Sequence, residues 1–224
     1  EFIAPVMASA GFIAGDMFKV AVRTRPGVLP HPRYVGRSTL RRMAPAVDPS
    51  ARGGLVNYDG QLEDDVRLVV AIARTAAWFG ARILTGVRAV STGDGGALVE
   101  DESGGQFEIR ATHVVNATGI WAGTLDPHVR IRPSRGTHVV LRSSLLGSPH
   151  AALTVAVPGD LSRYVFALPQ SDGLTFAGIT DVPSDAPVDE PPRATEEEIT
   201  WILDVLSTAL AKPITASDAV GAFA

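Results

Sequence analysis

A length of 224 residues and a hydrophobic content of 46% provide for one large domain or two small ones with packed cores. The absence of cysteine excludes disulfides, thiolate metal sites and a cysteine nucleophile, and the five histidines (31, 113, 128, 138, 150) lack ligand spacing, so no metal is expected. A net charge of −4 argues against nucleic acid as a partner.

The charge is uneven. Between Met17 and Val47 acidic residues are absent while Lys19, Arg23, Arg25, Arg33, Arg37, Arg41 and Arg42 accumulate, whereas 181–204 is strongly acidic. Such blocks serve as solvated faces, and the basic one also suits an anionic membrane surface or a partner protein. Residues 2–15, FIAPVMASAGFIAG, are apolar or small but shorter than the ~20 residues that span a bilayer. No basic region precedes them as in a signal peptide, and they suit a core helix or an interfacial segment.

Asp59 to Gly80 carries the clearest helical pattern, with Leu62, Val66, Val69, Ala73 and Ala76 on one face, acidic residues in the first turn and Gly80 as the stop. A strand over 81–90 follows. STGDGG and DESGG then mark turns around short strands at 97–100 and 106–110, and 111–116 is the next strand. RGTHVVLR, RYVFALPQ and LTFAGIT read as antiparallel strands, the last two joined by a hairpin at Ser171-Asp172-Gly173. A proline-rich loop covers 182–194. Thr195 caps a helix, with Glu198 completing a capping box, and Lys212-Pro213 ends it. DAVGAFA begins a final strand.

In VVNATGIWAG a strand runs into the small residues Asn116, Ala117, Thr118 and Gly119 and then towards a helix. That arrangement can offer backbone N–H groups to a phosphate, or form an ordinary strand-to-helix turn. GxGxxG, GxxxxGK[ST] and GxSxG do not occur, so a complete dinucleotide site or a nucleophile elbow cannot be claimed. Arg132, Arg135 and His138 cluster before a strand. His138 is a candidate base or donor, or a structural histidine. Arg135 and His138 are three apart and point to opposite faces of a regular strand, so they serve one site only if Gly136 breaks the regularity. Arg163 suits a phosphate or carboxylate clamp, or a solvated strand end. Thr180 and Asp181 put a hydroxyl and a carboxylate after another strand, where a capped turn would also account for them.

Taken together, NYDGQLEDDVRLVVAIARTAAWFGARILTGVRAV, VVNATGIWAG, RIRPSRGTHVVL, RYVFALPQ…LTFAGITD and TEEEITWILDVLSTAL resemble, in order and spacing, the middle of the aerobic, quinone-linked, FAD-dependent glycerol-3-phosphate dehydrogenases. The resemblance covers nearly all of the chain from about residue 30. It implies an α/β (α+β overall) fold, in which a partial Rossmann-like FAD unit with a β-meander (51–130) is interleaved with an antiparallel-sheet substrate or cap domain (1–50 and 131–224). It implies FAD as cofactor, glycerol 3-phosphate as substrate and a quinone as electron acceptor. An anionic membrane surface and a homodimer are the expected associations, with a cytoplasmic location peripheral to the inner face of the membrane.

Residue by residue, the resemblance implies that Ala89 meets the adenine and that Asn116, Ala117, Thr118 and Gly119 lie near the FAD pyrophosphate. It implies substrate contact for His138, Arg135, Arg163, Thr180 and Asp181, with His138 as the base. Two positions depart from the family. Arg135 stands where lysine is common, which keeps the charge, and Ile179 replaces a threonine, which removes a hydroxyl. Family members also carry an earlier GxGxxG block and a later Gly-x-Arg-Pro segment, so the expectation is an internal piece, inactive by itself. A flavin-dependent amino-acid oxidase and a non-catalytic membrane- or partner-binding module remain as alternatives.

Overall fold

The computed structural model describes residues 11, 15, 17–19, 21–24, 27–160, 162–185, 187 and 189–224. The apolar stretch 2–15 therefore falls largely outside the described residues. The chain divides into two compact units: 1–63, 135–182 and 192–224 form the first, and 64–134 with 183–191 the second. The sequence placed the boundaries at 50 and 130. Residues 51–63 go with the first unit because β2 (Gly53–Val56) pairs antiparallel with β1 (Arg33–Gly36).

The first unit is built on a five-stranded antiparallel sheet. Its strands are β7 (His138–Arg142), β8 (Leu153–Ala156), β9 (Tyr164–Pro169), β10 (Leu174–Gly178) and β12 (Ala219–Phe223), in the order β12-β7-β10-β9-β8. Short strands β6 (Ser134–Arg135) and β11 (Val182–Pro183) mark the chain's passages between units. Alternation assigns the two faces. Val139, Leu141, Val165, Ala167 and Ala177 are sealed against Ile202, Leu203 and Leu206 of a helix, Glu196–Ser207, which forms the core. At ~1.5–3 kcal/mol for each large apolar side chain fully buried, this face holds the sheet and helix together.

That helix starts where the sequence places it. The Thr195 hydroxyl accepts from the Glu198 N–H, and the Glu198 carboxylate accepts from the Thr195 N–H. It stops at Ser207 rather than at Lys212, because Ala209 and Leu210 already turn back onto Leu206 and Ser207. Ahead of it in the chain, this unit also holds α1 (Arg37–Met43).

The second unit holds α2 (Asp65–Trp78), the meander β3 (Val87–Gly93), β4 (Gly96–Asp101) and β5 (Gln106–Arg110), and a 3-10 turn (Gly119–Trp121) running into α3 (Ala122–Leu125). The capped helix of the first unit is accordingly α4. Helix α2 begins at 65 rather than 59 because the Asp64 carboxylate caps it, accepting from the Arg67 N–H at 2.8 Å. Its stripe is not covered, with Val66 at 70% and Val69 at 65% exposure. Strand β3 starts at 87, after Gly86 takes a left-handed φ of 68°. The expected strand 111–116 is not formed. A strand needs a hydrogen-bonding neighbour, and Val115 is instead 85% exposed. Where 183–191 rejoins this unit, the Trp121 indole donates to the Asp189 carboxylate at 2.8 Å. The mixed helix and antiparallel-sheet class read from the sequence is the class observed.

Candidate functional site

On the face of the sheet away from α4, the register lines up a row of residues. Phe223 of β12 pairs with His138 of β7, His138 with Gly178 of β10, and Gly178 with Phe166 of β9. Paired residues share a face. The His138 and Phe223 rings stack, centroids 5.0 Å apart and planes 12° from parallel. Phe176, one step along β10 on the same face, meets Phe223 edge-on at 5.4 Å. On the other flank of His138, only a glycine fits. A Cβ at Gly178 would lie 2.6 Å from His138 Cδ2 and 3.0 Å from the Thr137 carbonyl oxygen.

This face is open where the α4 face is closed, with Phe223 45% and Phe166 36% exposed. His138 Nδ1 is nonetheless buried and without a hydrogen-bond partner. Burial holds the His138 pKa below the usual 6.5, partly offset by the nearby Gly136 backbone. A partly buried imidazole with an unused ring nitrogen, on an open aromatic sheet face, is a neutral group able to accept a proton.

The other expected substrate residues do not join His138. Arg135 lies on the α4 side, where its Nε and Nη2 reach Glu198 Oε1 at 3.2 and 3.1 Å. Gly136 does not reunite Arg135 with His138, so the strand alternation prevails over the expected break. Thr180 is 3% exposed and accepts from the Thr137 N–H at 2.9 Å. Arg163 also lies on the α4 side, with its guanidinium carbon 5.1 Å from the centre of the Trp201 ring, since it shares the parity of Val165 and Ala167. Asp181 is exposed beyond the end of β10.

The residues expected to contact cofactor belong to the second unit. Ala89 pairs with Val99 next to a bulge in β3, a place where backbone is locally re-aimed. In the loop before the 3-10 turn, Asn116 organises the chain: its Nδ2 donates to the Ala122 carbonyl at 3.0 Å, and its Oδ1 accepts from the Thr118 hydroxyl at 2.7 Å. Gly119 takes φ of 59°, and a Cβ there would meet open space. The loop therefore presents small residues and accessible backbone, which fits a ligand that approaches main chain, as the diphosphate of a dinucleotide does.

Phe223, Gly178, Thr137 and Glu198 are the residues that sequence reasoning missed. Glu198 was visible only as half of a capping box. Gly178 and Phe223 acquire meaning only from a register that pairs β7 with both β10 and β12.

With this sheet, meander and small-residue loop in view, the chain belongs to the FAD dependent oxidoreductase family, whose profile matches residues 12–222. Among curated relatives it is 44% identical, over 97% of its own length and 43% of the relative's, to glycerol-3-phosphate dehydrogenase 1 of Mycobacterium tuberculosis. It is 34% identical, over 79% of its own length and 29% of the relative's, to a mitochondrial glycerol-3-phosphate dehydrogenase of Arabidopsis thaliana. The chain thus spans less than half the length of these relatives. Among solved structures, glycine oxidase from Geobacillus kaustophilus aligns over 94% of this chain and 54% of its own, with a TM-score of 0.61 at 19% identity. L-alpha-glycerophosphate oxidase from Mycoplasma pneumoniae with FAD bound aligns over 86% and 51%, with a TM-score of 0.57 at 16% identity. At those identities the two structures establish the fold alone.

Proposed function

We propose that the complete protein carrying this chain oxidises sn-glycerol 3-phosphate to dihydroxyacetone phosphate, with FAD as the immediate acceptor and a quinone receiving the electrons afterwards. The observation that carries this reading is the 44% identity, over 97% of the chain, to relatives named glycerol-3-phosphate dehydrogenase. When bound, FAD supplies the acceptor for the hydride leaving carbon 2. His138 takes the proton of the carbon 2 hydroxyl, a task for which burial keeps it neutral. Phe223, stacked on His138, covers one face of the imidazole. Ala89 offers backbone to the adenine, and residues 116–119 leave room for the diphosphate.

Mixing the complete protein with sn-glycerol 3-phosphate and a redox dye tests this reading. Dye reduction supports it and its absence contradicts it. Peroxide production from glycine, without turnover of glycerol 3-phosphate, would support the amino-acid oxidase alternative instead.

The acceptor, a homodimer and a location at the inner face of the membrane also belong to this proposal. No helix among the described residues is long and apolar enough to cross a membrane. Support for surface binding comes from Arg33, Arg37, Arg41 and Arg42, all exposed. Flotation with anionic liposomes should weaken when Arg41 and Arg42 are neutralised; unchanged flotation would count against an electrostatic attachment.

A further inference from the structure

Glu198 makes more bonds than a helix cap requires. A capping box is complete with Thr195, yet Glu198 Oε1 also holds the Arg135 guanidinium, and Oε2 accepts from the Thr137 hydroxyl at 3.1 Å. Those two partners come from the segment that enters β7, more than sixty residues away along the chain. The carboxylate is 7% exposed. Its burial opposes the charge more strongly than any other single influence. The bonds from the Thr195 N–H, Arg135, the Thr195 hydroxyl and Thr137 together outweigh it and hold the group below the ordinary carboxylate range.

A second layer pins the same segment. The Thr137 N–H donates to Thr180 Oγ1, and Thr180 Oγ1 reaches the Arg135 carbonyl at 3.4 Å. Both peptide flanks of Gly136 are thereby tied to the chain leaving β10. A side chain at Gly136 would crowd the same chain, since a Cβ there would lie 2.7 Å from Ile179 Cδ1 and 3.2 Å from the Thr180 carbonyl oxygen. What these bonds fix is the register of β7 against β10 beside His138. Only Gly178 can stand there, and a slip of one residue would bring Ala177 or Ile179 against the imidazole.

We propose that Glu198 is a positioning residue for His138: from the α4 face it holds Arg135 and Thr137, and so sets the backbone from which the imidazole leaves on the open face. The two arginine and threonine contacts serve geometry at the opposite face rather than contact with substrate. This inference rests on the reading of His138 as the proton acceptor.

The test uses the complete, flavin-loaded protein and the variants T137V, T137S, E198Q and H138N. Turnover of sn-glycerol 3-phosphate is read alongside the NMR signals of carbon-13-labelled histidine rings, His138 being assigned by its loss in H138N. T137V keeps the shape and packing of residue 137 but cannot donate to Glu198. T137V and E198Q should lower kcat by about ten- to a hundredfold with KM changed less than about threefold, the scale of a displacement of the order of 1 Å at a reacting group. Both should shift the His138 ring signal, and T137S should restore both readouts. Wild-type kcat with an unmoved His138 signal in T137V and E198Q, at a melting temperature close to wild type, would overturn the proposal. If E198Q fails to fold, T137V against T137S decides alone. Full turnover by H138N would defeat the reading of His138 as the acceptor, and the lock would then stand or fall on the ring signal only.

Discussion

The imidazole of His138 stacks on the phenyl ring of Phe223, centroids 5.0 Å apart and planes 12° from parallel. The pair couples the strand carrying the candidate base to the last strand of the sheet. A ring pair of this kind contributes about 0.5–1.5 kcal/mol beyond the area it buries. Phe223 also keeps water from one face of the imidazole, and burial is the first cause of the lowered His138 pKa. F223L therefore hydrates the ring and raises that pKa towards 6.5. The acid limb of the kcat/KM profile, which reports the free enzyme's base, moves up in pH accordingly, and F223Y leaves it in place.

Gly178 is the opposite support. G178A places a methyl group 2.6 Å from His138 Cδ2, too close for both to stay, and turns the imidazole out of its position. Overpacking of this kind costs about 1–3 kcal/mol, to be read as a lower melting temperature. Turnover should fall more than stability accounts for, by about a hundredfold, because a displacement of the order of 1 Å suffices for that loss. A G178A protein with wild-type kcat would show that the ring is not held there.

Arg163 separates two accounts of the same residue. With its guanidinium over Trp201 on the α4 face, it stabilises the fold by about 0.5–1 kcal/mol. R163M should lower the melting temperature slightly and leave KM for sn-glycerol 3-phosphate within about twofold of wild type, since rim and packing changes away from the site stay small. A large rise in KM would return Arg163 to the substrate.

The Glu198 lock gives stability a pH dependence of definite sign. Its folded-state pKa lies below the ordinary 4.5, so the native state binds fewer protons than the unfolded chain across that interval. The stabilisation is fully present above pH 4.5 and is lost as pH falls through the lowered folded value. Melting curves of wild type and E198Q should therefore differ most above pH 4.5 and converge on acidification. A difference that stays constant down the pH scale would mean that the charge of Glu198 contributes nothing.

Much of the first unit was legible along the chain. Alternation in RYVFALPQ and LTFAGIT, the Asp172-Gly173 turn and the Thr195–Glu198 box are local signals, and local physics decides them. The spacing of Arg135 and His138 also carried its own warning, because residues three apart leave opposite faces of a strand, as they do here. The same parity, counted from Val165, would have sent Arg163 to the α4 side. What local pattern could not supply is register between distant strands: nothing near Phe223 or Gly178 says that both flank residue 138. Strand 111–116 fails for a related reason. Its β-branched residues favour extended backbone, but a strand exists only with a neighbour, and propensity does not provide one. Helix α2 shows the converse, where pattern and caps suffice to form the helix while its apolar stripe stays exposed.

The central claim, that His138 takes the substrate proton as the hydride leaves, is tested most directly by rapid anaerobic mixing of the complete, flavin-loaded protein with sn-glycerol 3-phosphate. Bleaching of the flavin absorbance is followed in wild type and H138N. Loss of a positioned general base should slow flavin reduction by about 10²–10⁴-fold while the oxidised spectrum stays unchanged. Reduction of H138N at the wild-type rate would contradict the account.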